Sequence, residues 1–314
     1  MSAILVAVDG PQAGDWLAAL RANAKGCELR AWPDCGPAGD IAYACVWLPP
    51  RGILAGFPKL KAIINLGAGV DHLLADPDLP KVPIARAVHP DLSMQVTEYV
   101  VLHVLMHHRR QRLYAEQQRQ RQWRVNDQPA AGEVAVGVIG LGVIGREAAL
   151  ALARLGFRVA GFSRTPKTIP GVETFHGGPG LDAFLRRTEI LVCLLPPTPE
   201  TDGLLNLPLL RKLKRDGPAG GAILVNAARG RLQIDADIVA ALDEGTLAAA
   251  TLDVFPQEPL PPQSPLWSHP RITITPHNAG DVSPRAFAPY VIAQIERFER
   301  GLPLDHLIDR DRGY

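Results

Sequence analysis

The chain has 314 residues, and its 33 Lys and Arg residues nearly cancel its 32 Asp and Glu residues, for a formal net charge of +1. Hydrophobic residues make up 47% and charged residues 21%, which is ordinary globular composition and excludes a disordered chain. This charge balance gives no general attraction to nucleic acid or to an anionic membrane. At ~150 residues per domain, the length predicts two domains.

The lack of a targeting signal and the spacing of the cysteines predict a cytoplasmic protein. No apolar run approaches the ~20 residues that cross a bilayer, and the start Met1–Asp9 lacks the basic region of a signal peptide. The cysteines have no CxxC spacing, so we expect small buried thiols in a reducing compartment rather than disulfides or metal ligands: Cys27, Cys35, Cys45 and Cys193.

The first part of the chain alternates short apolar runs with helical patterns. Residues Trp16, Leu17 and Leu20 have helical spacing between the first two runs. Strands that alternate with helices predict a parallel sheet covered on both faces. Bounded by Gly, Pro or Asp, the runs predict buried strands at Ile4–Val8, Ala42–Leu48, Lys61–Leu66 and Ile84–Ala87.

A long helix is predicted to begin near Ser93 and to continue into a strongly basic stretch. We interpret this stretch as a solvated or interdomain helix rather than a nucleic-acid surface, because no aromatic ladder accompanies the charge. His103 and His107 are four residues apart, but no HExxH pattern joins them, and we predict no metal site. The basic residues are Arg109, Arg110, Arg112, Arg119, Arg121 and Arg124.

A second alternating series follows the loop Asn126–Gly132. Six strands in one unit is the number in a doubly wound nucleotide-binding fold. A last helix is predicted to begin after Ser283, with Pro284 in its first turn, and to end before Gly301. The six predicted strands are Val134–Ile139, Arg158–Phe162, Ile190–Leu195, Ala222–Asn226, Ala248–Asp253 and Ile272–Thr275.

A GxGxxG motif made by Gly140, Gly142 and Gly145 follows the first strand of this series and opens a helix. In that context the first glycine allows a tight turn and the second lets the backbone approach a pyrophosphate. The third lets the helix pack closely on the strand, and the N–H groups at the helix start hold the phosphate charge. The motif therefore predicts a dinucleotide site.

The loop after the next strand contains Ser163, Arg164, Thr165 and Lys167, with no acidic residue. A site specific for NAD places an Asp or Glu about 20 residues past the fingerprint, where it binds the ribose 2′-OH. A guanidinium at that place instead forms charge-assisted hydrogen bonds with a 2′-phosphate. We therefore predict that NADPH is preferred over NADH.

Three further segments follow predicted strands, where the active sites of open α/β sheets lie. Because these segments follow the GxGxxG motif in a fixed order, the chain resembles the D-2-hydroxyacid dehydrogenase family over essentially its whole length. The resemblance implies an α/β fold of two doubly wound parallel-sheet (Rossmann-like) domains with the active site in the cleft between them. It is carried by Asn226–Gly230, Leu252–Leu260 and Thr275–Asn278, with Val46–Pro50, Leu66–Asp71, Phe162–Thr165, Ser264–Trp267 and Arg312–Tyr314.

The resemblance also implies how the domains are divided. Residues 1–98 and 283–314 are expected to form a discontinuous, flavodoxin-like substrate-binding domain, and residues 99–282 an NADP-binding Rossmann domain. A homodimer that contacts through the nucleotide domain and the long helix is implied as well.

Arg229, Glu258 and His277 are implied to be the catalytic residues. The planar fork of Arg229 suits a carboxylate and the oxygen of a ketone, where it stabilises developing charge. His277 suits a proton donor near neutral pH, and Glu258 suits a partner that orients its ring. Asp253 is implied to contact the nicotinamide carboxamide. One departure is Asn278, because many relatives carry a small apolar residue after this histidine.

The implied substrate site begins with the backbone amides of Ala68, Gly69 and Val70, which form a loop for the substrate carboxylate. Trp47 and Trp267 either line the substrate pocket or pack in the core, and Arg229 and His277 complete the substrate-binding set. Arg229, His277 and Asp253 also belong to the expected cofactor-binding set. That set includes the glycine motif and the cationic loop described above, together with Val143, Ile144, Leu195, Pro196, Ala227 and Ala228.

The expected function is NADPH-dependent reduction of small 2-keto acids, with His277 as general acid. Glyoxylate would give glycolate, and hydroxypyruvate would give D-glycerate. One alternative is a dehydrogenase of a bulkier acid, such as phenylpyruvate or a branched-chain 2-keto acid. Another is a non-catalytic nucleotide-sensing protein similar to the corepressors of the family.

Overall fold

A computed structural model describes residues 3–24, 26–218 and 221–313. These residues divide into two compact units, one within Met1–Leu92 and Asp281–Tyr314 and the other within Ser93–Gly280. Tyr314, the last residue of the terminal motif, lies outside the described residues. The helices are α1 Ala13–Asn23, α2 Asp71–Leu74, α3 Pro90–His108, α4 Gln111–Arg119, α5 Val143–Arg154, α6 Gly177–Arg187, α7 Leu207–Leu210, α8 Asp235–Asp243 and α9 Pro284–Glu299.

The first unit contains a parallel sheet with the strand order β2-β1-β3-β4-β5, a flavodoxin-like order. Strand β2 was not predicted, because it lies at the edge of the sheet and buries only Leu29. The other four strands confirm the predicted ones to within one residue at each end. The strands are β1 Ala3–Val8, β2 Glu28–Ala31, β3 Ile41–Trp47, β4 Ala62–Asn65 and β5 Ile84–Arg86.

Both faces of this first sheet are buried. Alternate residues of β1 point to opposite faces, so Ile4 packs in a cluster with α1 and α9, whereas Leu5 packs in a separate cluster on the other face. Phe287 of α9 is fully buried and meets the ring of Trp16 edge-on, with ring centroids 6.2 Å apart. At the predicted start of α9, the Ser283 hydroxyl accepts the Ala286 N–H. Helix α9 therefore completes a core whose sheet lies near the N-terminus.

The second unit contains a parallel sheet with the order β12-β11-β10-β9-β6-β7-β8. The prediction of six strands is wrong, since the described residues form seven. The extra strand, β8, is a partly exposed edge strand without an apolar run. The order changes direction between β6 and β9, which is where nucleotides bind in this class of fold. The strands are β6 Ala135–Ile139, β7 Arg158–Ser163, β8 Glu173–His176, β9 Ile190–Cys193, β10 Ala222–Asn226, β11 Leu247–Leu252 and β12 Ile272–Ile274.

The long helix expected from Ser93 is wrong in its extent. It begins earlier, at Pro90, and α3 ends at His108. Arg110 then adopts a left-handed backbone conformation with φ +54°, and the chain restarts as the shorter α4. Arg110 donates to the Pro218 carbonyl at 3.3 Å and Arg112 to the Thr273 hydroxyl at 3.1 Å. These two arginines bind other parts of the second unit rather than extending a continuous basic helix.

The cysteines are unpaired, and three of them are buried as predicted: Cys35, Cys45 and Cys193. The same prediction is wrong for Cys27, which is exposed. Burial raises the pKa of the Cys45 and Cys193 thiols to about 12, so both remain protonated and unreactive. Among the described residues, no helix has the length and apolar character needed to span a membrane.

Candidate active site

The glycine fingerprint lies between β6 and α5. Gly140 has φ +106°, and a Cβ atom there would lie 2.6 Å from the carbonyl oxygen of Leu194, so the turn requires glycine. A Cβ atom on Gly145 would lie 1.8 Å from the Gly140 oxygen, because α5 packs directly on this turn. Gly142 precedes the helix and has no atom within 4 Å of its Cβ position. This open space at a helix N-terminus fits a pyrophosphate.

The loop after β7 carries the cationic residues. Ser163 is buried and donates its hydroxyl to the Thr165 carbonyl at 2.8 Å, which closes the turn, while Arg164 and Lys167 are exposed. The Thr198 hydroxyl and, to a smaller extent, the Arg164 charge lower the pKa of Glu200. The other expected cofactor residues lie at neighbouring strand ends, with Val143 and Ile144 opening α5, Leu195 and Pro196 after β9, and Ala227 and Ala228 after β10.

Arg229 lies in a tight turn after β10. The side chain of buried Asn226 accepts the Ala228 N–H at 3.1 Å and donates to Gln233 at 2.8 Å, which fixes the turn from inside. A Cβ atom on Gly230 would lie 1.8 Å from the carbonyl carbon of Phe255, so only glycine fits beside Arg229. The Arg229 guanidinium donates to the Ala228 carbonyl at 2.8 Å.

Glu258 and His277 form a hydrogen-bonded pair, with 2.7 Å between Oε2 and Nδ1. The other Glu258 oxygen accepts the Phe255 N–H at 2.9 Å. Burial raises the pKa of Glu258, but the hydrogen bonds from His277 and Phe255 and the charges of His277 and Arg229 outweigh it, so the pKa is lowered overall. The side chains are 35% and 39% exposed. The second unit therefore brings the three predicted catalytic residues together around an ionised carboxylate.

A buried carboxylate holds the main chain around His277, which has the left-handed φ of +53°. Asp253 is fully buried, and its Oδ1 accepts the Thr275 hydroxyl at 2.6 Å and the Asn278 N–H at 3.0 Å. Its Oδ2 accepts the Ala279 N–H at 2.9 Å. The role of Asp253 toward a nicotinamide stays a prediction. Sequence reasoning missed Tyr99, whose hydroxyl lies 2.6 Å from that of Thr275.

The loop that contains Ala68, Gly69 and Val70 belongs to the first unit. The amide of buried Asn65 donates to the carbonyls of Gly67 and Gly69 at 2.7 and 2.9 Å. Sequence reasoning missed Asn65, although a polar residue at the end of the apolar β4 is a readable signal. Its contacts hold these two carbonyls toward the strand.

The two candidate tryptophans differ in burial. Trp47 is half-buried, and its ring packs so closely on Gly67 that a Cβ atom there would lie 2.0 Å from it. Trp267 is 53% exposed and donates its indole N–H to the Pro261 carbonyl at 3.0 Å. The Trp47 ring packs against the core of the first unit, whereas the Trp267 ring is largely exposed. Within the described ranges, no group of three His, Cys, Asp or Glu side chains is placed to hold a metal ion.

Comparison with known proteins identifies the family. The model of the D-isomer specific 2-hydroxyacid dehydrogenase NAD-binding domain matches residues 101–279. A glyoxylate/hydroxypyruvate reductase A from Yersinia enterocolitica is 41% identical over 309 residues, which cover 96% of this chain and 97% of that protein. The chain belongs to the D-isomer specific 2-hydroxyacid dehydrogenase family. The resemblance inferred from the motifs is thereby confirmed.

Solved structures match this 2-hydroxyacid dehydrogenase over its length. An NADPH-dependent glyoxylate/hydroxypyruvate reductase from Sinorhizobium meliloti, in complex with NADP and sulfate, matches with a TM-score of 0.95 and 42% identity, covering 100% of both chains. A D-isomer specific 2-hydroxyacid dehydrogenase from Xanthobacter autotrophicus Py2, in complex with NADPH and MES, matches with a TM-score of 0.94 and 43% identity, covering 100% of this chain and 99% of that one. These matches and the two sheet orders confirm the predicted class of two parallel α/β domains.

Proposed function

We propose that this 2-hydroxyacid dehydrogenase reduces small 2-keto acids with NADPH, converting glyoxylate to glycolate and hydroxypyruvate to D-glycerate. The observation that carries the proposal is the 2.7 Å pair between His277 and the ionised Glu258, within reach of the Arg229 charge. The relative from Yersinia and the neighbour from Sinorhizobium, both glyoxylate/hydroxypyruvate reductases by name, support the choice of substrates.

Arg229, Glu258 and His277 each have a distinct role in the proposed reduction. Arg229 binds the carboxylate and the ketone oxygen of the substrate, and it stabilises the negative charge that develops on that oxygen. Glu258 occupies His277 Nδ1, which leaves Nε2 to deliver a proton to the same oxygen. Because the His277 ring is 39% exposed, it regains a proton from water after each turnover. The backbone amides of Ala68, Gly69 and Val70 bind the substrate carboxylate in the proposed mechanism.

The cofactor site fits NADPH, which supplies the hydride when bound. The N–H groups of Val143, Ile144 and Gly145 at the start of α5 bind the pyrophosphate in the open space beside Gly142. Arg164 binds the 2′-phosphate. In this proposal the second unit binds the cofactor.

A panel of keto acids with both cofactors tests the proposed function. Glyoxylate and hydroxypyruvate are expected to give the highest kcat/KM, measured from the loss of NADPH absorbance. Higher values with phenylpyruvate or a branched-chain 2-keto acid would assign the bulkier substrate class instead. Tight binding of NADPH without turnover of any acid would indicate a nucleotide-sensing protein.

Arg164→Ser tests the origin of the cofactor preference. The wild type is expected to favour NADPH, and the variant to lose about 10- to 100-fold in kcat/KM with NADPH, since a hydrogen bond to a charged group contributes about 1.5–3 kcal/mol. The value with NADH is expected to stay unchanged. Arg154→Ser, which removes an exposed arginine from the far end of α5, serves as the matched control. Equal use of NADH and NADPH by the wild type would contradict the assignment.

We also propose that the protein is a cytoplasmic homodimer. Its unpaired cysteines suit a reducing compartment. Trp123 and Val125, which are 99% and 86% exposed, border a groove of about 530 Å³ beside α4, and such apolar exposure is typical of an interface. Analytical ultracentrifugation is expected to give the mass of two chains, and the mass of one chain would contradict the proposal.

A further inference from the structure

We propose that Tyr99 and Thr275 are positioning residues for catalysis, which hold the histidine loop through the carboxylate of Asp253. The histidine loop is defined here as residues 275–279, which follow β12 and include His277. The inference rests on the proposed function, in which His277 delivers the proton. Tyr99 lies on α3, which is far from this loop in the sequence but belongs to the same unit.

The hydrogen bonds between these side chains have a fixed direction. The oxygen of the Thr275 hydroxyl lies 2.6 Å from Asp253 Oδ1 and 2.6 Å from the Tyr99 oxygen. A carboxylate only accepts, so the single hydrogen of Thr275 is donated to Asp253. The Tyr99 hydroxyl must then donate to Thr275. A chain of two hydrogen bonds therefore connects α3 to the buried carboxylate.

Asp253 holds the histidine loop on both sides of His277. Before the histidine it accepts the Thr275 hydroxyl, and after it the N–H groups of Asn278 and Ala279. The left-handed conformation of His277 is unfavourable for a residue other than glycine, so it persists only where the surroundings hold it. The same contacts thus fix the backbone that directs the imidazole toward Glu258.

The two ends of this chain of hydrogen bonds are buried, which keeps the tyrosine donor protonated. Tyr99 and Asp253 are both buried, and burial raises the pKa of the Tyr99 hydroxyl above its ordinary value. The buried His103 ring packs on the Tyr99 ring with centroids 4.2 Å apart, and burial lowers its pKa. The lowered pKa favours the neutral His103 ring beside Tyr99. In such a low-dielectric site, a lost hydrogen bond is costly.

Removing the two hydroxyls one at a time tests the proposal by kinetics. Thr275→Val is expected to lower kcat with hydroxypyruvate about tenfold, and Tyr99→Phe about threefold, since small displacements of a reacting group slow the reaction strongly. The KM for NADPH is expected to stay within about twofold in both, whereas Thr275→Ser, which keeps the hydroxyl, is expected to restore kcat. Tyr43→Phe is the matched control, because it removes a tyrosine hydroxyl that donates to Glu299 in the other unit.

Hydrogen exchange of the main chain gives a readout that does not need activity. The amides of Asn278 and Ala279 are expected to exchange at least tenfold faster in Thr275→Val, while those of β10 stay unchanged. If the wild type turns over no keto acid, the proposed function fails, yet exchange still tests the loop. If Thr275→Val does not fold, Tyr99→Phe carries the same two measurements. Wild-type kcat or wild-type exchange in the folded variants would overturn the positioning role.

Discussion

His277→Ala is expected to lower kcat for glyoxylate and hydroxypyruvate by about 10²- to 10⁴-fold, which is the contribution of one positioned proton donor. The affinity for NADPH should stay near that of the wild type, because the fingerprint that binds the cofactor lies between β6 and α5, whereas His277 follows β12. Steady-state kinetics and a fluorescence titration with NADPH measure the two quantities separately.

A second histidine provides the control for this result. His269 also faces a carboxylate, with 3.4 Å between its Nε2 and Asp243 Oδ1, but it lies before β12 whereas His277 lies after it. His269→Ala is expected to leave kcat within about twofold, as for a substitution away from the reacting groups. Undiminished turnover in His277→Ala would refute its assignment as general acid.

Gly145→Ala is expected to destabilise the second unit and to remove most of its NADPH affinity. The new methyl group would lie 1.8 Å from the Gly140 oxygen, so α5 must move away from the turn. That movement disrupts the packing of Ala148 and Leu152, which are fully buried. Overpacking of this kind costs about 1–3 kcal/mol in the free energy of unfolding. Loss of about two N–H contacts to phosphate would weaken NADPH binding about a hundredfold.

Gly142→Ala separates cofactor binding from stability in the same loop. No atom lies within 4 Å of its Cβ position and its φ is −71°, so alanine fits without strain. The free energy of unfolding is expected to change by less than about 0.5 kcal/mol. NADPH affinity should still fall, because the methyl group enters the space through which the pyrophosphate approaches the backbone. Denaturant titration and NADPH binding together would show it, and wild-type affinity would contradict the placement of the pyrophosphate.

Features that depend on local chemistry could be predicted from the sequence. The fingerprint is one example, because the positive φ of Gly140 belongs to a local turn and Gly145 packs on the Gly140 oxygen, a few residues before it. Edge strands β2 and β8 were missed because β2 buries a single side chain and β8 buries none, so neither contains an apolar run. The left-handed Arg110 between α3 and α4 carries no glycine or proline signal.

The support around His277 could not be predicted for a different reason. Tyr99 and Thr275 are 176 residues apart, and only the folded sheet and helix bring their hydroxyls together. In the sequence, Tyr99 is one of several residues on a mainly apolar helix, where an aromatic ring ordinarily fills the core. The family resemblance implies roles for His277 and Glu258 but gives no information on the contacts that hold the histidine loop.

The contribution of α9 to the first core has a consequence for how the protein folds during synthesis. Phe287, Val291 and Ile295 pack with β1, β3 and β4, yet the ribosome makes them only after the whole of Ser93–Gly280. Domains generally fold as units as they emerge. The second unit is a continuous segment, so it can fold before α9 has been made and added to the N-terminal sheet. The sheet of β1–β5 can therefore reach its native packing only after α9 has been made.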